Sequence, residues 1–385
     1  MGMTPGRRLP DDALANSQTR LSKLFGASSG LLSLWIAEPY VDLAPEVKTA
    51  IEERSRVGWY GYETRPESLI ESFWEWMSDR HGWLGSDLRT SVSPSVGTSI
   101  GVLLEQFTQP GDGVILQPPV FTDFKPLVVS AGRSVVRNPL VITATGYRMD
   151  VADLEAKAAD PATRLLILCN PHNPVGRLWA ESELKAVAEI CAANNVFVIA
   201  DEIHADLTLT PHSFTPFGSV AARSGVVWAA THGPIKTFGL AGVCDTLLVT
   251  DDNLVDERFR AASSRLHLTR NNVFAMAAFE TAYRTGAAWL DGLLELVAGN
   301  IELLDDTLPS AIELVQPEAT YLAWLDFRQL SLGVPELAGW LASAGVALSP
   351  GHWFGREGAG FARMTIAAPR SHIEEAISRL TAAPG

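Results

Sequence analysis

Val226-Val-Trp-Ala-Ala-Thr-His-Gly-Pro-Ile-Lys236-Thr-Phe-Gly-Leu-Ala-Gly242 is an apolar run that breaks at Gly233-Pro234 and delivers one lysine into a turn flanked by glycines. A lysine so placed loses hydration, which pushes its amine toward the neutral, nucleophilic form that condenses with an aldehyde. Two upstream stretches are built alike. Arg164-Leu-Leu-Ile-Leu-Cys169 runs into Asn170-Pro-His-Asn-Pro-Val-Gly176, and Val196-Phe-Val-Ile-Ala200 runs into Asp201-Glu-Ile-His-Ala-Asp206. Continuous apolar runs of this length read as strands buried on both faces of a parallel sheet. Their ends offer an amide (Asn173), a carboxylate (Asp201) and an amine (Lys236) at one sheet edge, where open α/β proteins place their ligands.

Pyridoxal 5'-phosphate requires such a set: a carboxylate to keep the pyridine nitrogen protonated, a donor to the ring hydroxyl, and an amine for the aldehyde. Through Asn-Pro-x-Asn-Pro-x-Gly, Asp-Glu-Ile-His and Lys-Thr-Phe-x-Leu-Ala-Gly, matched from about Leu34 to about Arg370, the chain resembles fold-type I pyridoxal phosphate enzymes of the aminotransferase class I/II superfamily. Within them it is most similar to the cystathionine beta-lyase branch of carbon-sulfur lyases. The resemblance implies an α/β fold, with a large domain built on a mixed, mostly parallel seven-stranded sheet flanked by helices and a smaller α+β domain. Residues 1–40 are expected to form an N-terminal arm and part of the small domain, 41–275 the large domain, and 276–385 the small C-terminal domain.

The resemblance also assigns roles. Lys236 and Asp201 are the catalytic pair, with Asn173 on the cofactor's ring oxygen and His204 supporting either that oxygen or the aspartate. Val96, Gly97 and Thr98 begin a helix whose free amides suit a phosphate, and Phe121 stacks on the pyridine face. Tyr62, in the aromatic turn Gly58-Trp-Tyr-Gly-Tyr62, is implied to reach the cofactor phosphate of a second copy and joins the catalytic set, so a homodimer with shared sites is expected. Arg363 is implied to clamp the α-carboxylate of an amino acid substrate, a task for which a planar fork of donors suits better than a lysine. Glu38, Tyr40, Tyr60 and Trp353 complete the expected substrate pocket.

Three departures from the family pattern stand out. Glu38-Pro-Tyr40 replaces an Asp-Met-Asp-Phe type segment, Thr365 stands where asparagine is common, and Gly233 and Ile235 occupy the hydroxyl positions that precede the lysine in relatives. Thr231 and His232 are expected to substitute there as phosphate or substrate contacts. The implied reaction is β-elimination of an S-substituted cysteine to thiol, pyruvate and ammonia, including the bulky S-conjugates of antibiotic pathways. Transamination, or decarboxylation coupled to oxidative deamination, draws on the same cofactor residues, and a pyridoxal-phosphate-binding regulator is a third reading.

The bulk numbers agree with a large globular enzyme: 385 residues, 47% of them hydrophobic. Lys plus Arg at 30 against Asp plus Glu at 44 leaves a net charge of -14, which disfavours nucleic acid and anionic membranes as partners. Cys169, Cys191 and Cys244 lie in apolar segments without metal-type spacing and read as buried thiols. The start lacks an apolar leader core, and no run reaches the roughly eighteen residues of a membrane span, so a cytoplasmic location is expected.

Overall fold

The computed structural model describes residues 13–26, 30–143 and 146–383. Seven strands form the central sheet: β1 (Arg89–Ser93), β2 (Gly113–Leu116), β3 (Ser134–Arg137), β4 (Thr163–Cys169), β5 (Phe197–Asp201), β6 (Trp228–His232) and β7 (Thr246–Thr250). Their spatial order is β1-β7-β6-β5-β4-β2-β3, with β7 antiparallel to both neighbours and the remaining pairs parallel.

Alternation sends successive side chains of β4, β5 and β6 into two different cores. Ile167, Ile199 and Ala229 pack under helices Val96–Phe107 and Asn253–Arg265. Leu168, Val198, Ala200 and Ala230 face a second cluster shared with helices Glu67–His81, Glu181–Ala193 and Val273–Thr285. Both faces are apolar, which is why the strands read as unbroken hydrophobic runs. The register aligns Cys169 with Asp201 and Asp201 with Thr231, so three strands end together and release their loops on the same side.

A four-stranded antiparallel sheet, ordered Glu313–Val315, Leu322–Asp326, Phe361–Thr365, Ser349–Pro350, builds the C-terminal part. Its Leu322, Trp324 and Met364 belong to the same hydrophobic cluster as the large sheet's second face. In the apolar run Leu31–Ala37 only Leu32–Ser33 pairs as a strand, in parallel with Val346–Ala347. Beyond Leu34 the backbone turns its carbonyls toward side chains of the site. The polar N-terminal stretch carries a helix, Gln18–Phe25, whose Leu21 and Phe25 share one face and bury against Trp35 and Trp353. The three cysteines are buried free thiols, and no helix among the described residues is long and apolar enough to cross a membrane.

Candidate active site

Lys236 sits on a one-turn helix, Pro234–Thr237, directly after β6. Gly233 makes that turn possible: its φ is +156°, and a Cβ there would come 3.2 Å from Thr246 Cα. A side chain at this position would crowd the backbone of Thr246 as well as adopt an unfavourable φ. The Lys236 amine donates to the Ala37 carbonyl at 2.8 Å. Burial, then the nearby charge of Arg363, push the amine down to about 8, against the opposing pull of Glu38, Asp201 and Asp123. An amine so poised is a usable base and nucleophile near neutral pH.

Asp201 ends β5, where its Oδ1 accepts from the Thr231 hydroxyl at 3.1 Å and from the Ile203 amide at 3.3 Å. Both donors are neutral. Burial raises the carboxyl to about 6 although Ile203, Thr231 and Lys236 favour its ionised form. A buried carboxylate bonded by neutral donors is suited to a ligand's N–H⁺.

Arg363, on strand Phe361–Thr365, is the counterpart of opposite sign. Its Nη1 donates to Asn173 Oδ1 at 3.0 Å, and its Nη2 to the Trp35 carbonyl at 2.9 Å and Ser349 Oγ at 3.3 Å. Its Nε is buried without a partner. Every acceptor is neutral, the residue is 6% exposed, and burial pushes the guanidinium down to about 10. A cation buried this way calls for an anion, and a carboxylate matches its fork. With Oδ1 committed to Arg363, Asn173 is left with its Nδ2 hydrogens to donate.

At the far end, Ser95 caps helix Val96–Phe107 by accepting from the Thr98 amide at 3.1 Å. First-turn amides have no acceptor inside a helix, and a Cβ on Gly97 would meet only Ser95 Oγ at 3.8 Å. The approach to this helix end is open for an anion. Phe121 is half-buried and packs edge-on to Phe124. Tyr62 is 84% exposed with its hydroxyl accepting from Arg270, while Tyr60 packs at a tilt against Phe274 and donates to the Ser55 carbonyl.

Thr231 and His232, expected as phosphate or substrate contacts, have protein partners in this structure. They are neighbours on a strand and point to opposite faces. Thr231 spends its hydroxyl on Asp201. His232 lies in the core between Phe73 and Trp83, with Nε2 3.1 Å from Glu202 Oε2. His204 is buried with an unpartnered Nδ1 and edge-on to Tyr321; burial, with the charges of Lys236 and Arg363, keeps it neutral by lowering its pKa well below the usual value. Glu38 is half-buried, its carboxyl raised by burial and lowered by Lys236, while Tyr40 is buried with an unpartnered hydroxyl. Trp353 packs on Trp35 and Phe25, half-buried.

The sequence reading missed the groups that hold the site's charged ends. The fully buried Tyr321 hydroxyl lies 3.3 Å from the Ala37 carbonyl and 3.2 Å from the Lys236 carbonyl. The carbonyls of Trp35 and Ala37 were likewise invisible, because backbone acceptors leave no mark in residue identity, and Ser349 carries no local signal of its contact with Arg363.

The family described as Aminotransferase class I and II matches residues 30–380. The chain is 35% identical over 369 residues to the protein named Cystathionine beta-lyase PatB of Bacillus subtilis (strain 168), covering 94% of this chain and 95% of that one. It is 30% identical over 363 residues to Protein MalY of Escherichia coli (strain K12), covering 92% of each. Among solved structures, cystalysin of Treponema denticola, which contains a pyridoxal 5'-phosphate cofactor, is similar with a TM-score of 0.91 at 26% identity, over 99% of this chain and 98% of that chain.

Proposed function

This chain belongs to the class I and II aminotransferase family, and from that premise we propose that it is a pyridoxal-phosphate-dependent carbon-sulfur lyase acting by β-elimination on an S-substituted cysteine. The observation that carries this reading is a buried arginine with only neutral acceptors and a lysine amine held near neutrality, bonded to the carbonyls of Trp35 and Ala37 on one backbone segment and close enough for the arginine's charge to act on the amine. The first fits an amino acid's carboxylate, the second its α-proton.

The residues present fit the cofactor. Asp201 would pair with the pyridine nitrogen, Asn173 Nδ2 would donate to the ring oxygen, Phe121 would cover the ring face, and the helix start at Val96, Gly97 and Thr98 would take the phosphate. Bound there, pyridoxal phosphate supplies the electron sink that lets the substrate's α-carbon release a proton. Arg363 orients the substrate through its carboxylate, with Asn173, Trp35 and Ser349 fixing the guanidinium plane. Lys236 Nζ, released from the Ala37 carbonyl, accepts the α-proton. Burial of the pocket floor keeps water away from these charges and strengthens them. The overall products are a thiol, pyruvate and ammonia.

The exposed Trp59, Tyr60 and Tyr62 form an aromatic face that we assign to a second copy of the chain, giving a homodimer with shared sites. We keep the division into an arm with part of the small domain (1–40), a large domain (41–275) and a small domain (276–385). Glu38 and Tyr40, which replace the family's Asp-Met-Asp-Phe segment, are assigned to the pocket that receives the sulfur substituent.

Product analysis tests this reading. The cofactor-loaded protein is given cystathionine, an S-alkylcysteine and a bulky S-conjugated cysteine in air. Free thiol with pyruvate is expected. A product that keeps its sulfur, as keto acid or as aldehyde lacking the carboxyl carbon, would establish transamination or oxidative decarboxylation instead.

A further inference from the structure

Asp206 closes the stretch that begins with Asp201, yet its carboxylate belongs to a separate, buried network. Its Oδ1 accepts from Trp76 Nε1 at 2.7 Å and lies 2.8 Å from His81 Nε2, while its Oδ2 accepts from the Thr237 hydroxyl at 2.9 Å. Trp76 and His81 stand on helix Glu67–His81. Thr237 is the residue after Lys236. Burial works to raise the Asp206 carboxyl, but its bonds to His81, Trp76 and Thr237 outweigh that and hold it below the usual carboxylate range.

The location of this network gives it a task. Helix Pro234–Thr237 has four residues and is too short to be rigid by its own hydrogen bonds. Its main-chain ties are Phe238 N to the Pro234 carbonyl and Leu240 N to the Ile235 carbonyl. Beside the neutral bond from the Tyr321 hydroxyl to the Lys236 carbonyl, the Thr237–Asp206 bond is charge-assisted and, through Trp76 and His81, connects this turn to helix Glu67–His81; such bonds hold geometry more firmly than neutral ones. Asp201 and Asp206 lie on one short connection, so the group expected under the ring nitrogen and the group steadying the lysine turn share one backbone support.

We propose that Asp206 is a positioning residue for Lys236, acting through the Thr237 hydroxyl to fix the rotation of the lysine-bearing turn and so the line along which Nζ meets the substrate's α-carbon. The inference rests on the reading of Lys236 as the cofactor's lysine. It assigns Asp206 and Thr237 no contact with substrate or cofactor.

The test first reduces the holoenzyme with borohydride and locates the modified peptide by mass. A label on a lysine other than Lys236 overturns the proposed function itself. With the label on Lys236, steady-state kinetics on an S-alkylcysteine compare Thr237→Val, which removes the hydroxyl at equal volume, with Thr237→Ser, which restores it, and with Asp206→Asn. Misplacing a reacting group by an ångström costs about a hundredfold in rate, so Thr237→Val is expected to lose about that much in kcat with KM nearly unchanged, while Thr237→Ser stays near wild type. Asp206→Asn is expected to show the same kcat-selective loss. In the cofactor-free protein, the pH dependence of Lys236 acetylation should move in Thr237→Val and be restored in Thr237→Ser. Wild-type kcat in Thr237→Val overturns the inference, as does a serine variant as slow as the valine one. A loss of kcat that follows only the unfolded fraction, measured by circular dichroism, also overturns it.

Discussion

The two sides of the site are held by different means. On the sheet side, Asn173, Asp201 and Lys236 follow the ends of three adjacent strands, and strand register brings them together. On the other side, Arg363 and the lysine amine are steered by backbone carbonyls of Trp35 and Ala37, in a segment that has left the strand ladder. The sheet side depends on residue type at fixed places. The opposite side depends on where a short run of backbone passes, so its side chains, Glu38 and Tyr40 among them, are freer to differ from relatives. Under the proposed function, cofactor chemistry falls to the first side and substrate choice to the second.

Substitutions can break this division or sharpen it. Lys236→Ala should have the largest effect: loss of the proton-accepting amine costs about four orders of magnitude in turnover, read by pyruvate release. Arg363→Lys keeps the charge but not the fork, and kcat/KM is expected to fall about a hundredfold, mainly through KM. Should it fall through kcat alone, Arg363 serves the sheet side rather than the substrate.

Thr231→Val removes a donor that favours the ionised Asp201. The carboxyl then rises above its present value of about 6, and because the cofactor's protonated ring needs the carboxylate, retention of the cofactor should begin to fail at a higher pH as the solution is acidified. Equilibrium dialysis across pH reads this shift, with affinity about tenfold weaker near pH 6.

Glu38→Gln tests the opposite side. Its carboxylate favours the protonated Lys236, so its removal should move the amine's titration from about 8 to lower pH, seen as faster acetylation below that point in the cofactor-free protein. His232→Ala should act on neither side. It removes the imidazole beside Glu202 Oε2, whose Oε1 keeps its bonds from Phe217 N and Asn170 Nδ2, and opens a cavity beside Phe73 and Trp83, so the expected result is about 2–3 kcal/mol of lost stability in denaturant melts, with cofactor affinity of the folded protein retained.

How much of this was legible followed the same line. Asn173, Asp201 and Lys236 were readable because apolar runs mark buried parallel strands and each ends in a residue whose chemistry is scarce inside a protein. Arg363 was reached through resemblance, since an arginine in the strand Phe361–Thr365 carries no local signal of being buried. The protein partners of Thr231 and His232 were not legible, because distance along the chain to Lys236 says nothing about which sheet face a side chain takes.

The sequence by itself determined the strand edge, the amine, the carboxylate and the amide, because strand periodicity and residue chemistry are local properties. Tertiary structure alone decided that Thr231 serves Asp201, that the Ala37 carbonyl receives the lysine amine, and that Asp206 reaches Thr237 across 31 positions of chain. Those partners are set by packing and by backbone carbonyls that every residue possesses, so no pattern of side-chain identities could have announced them.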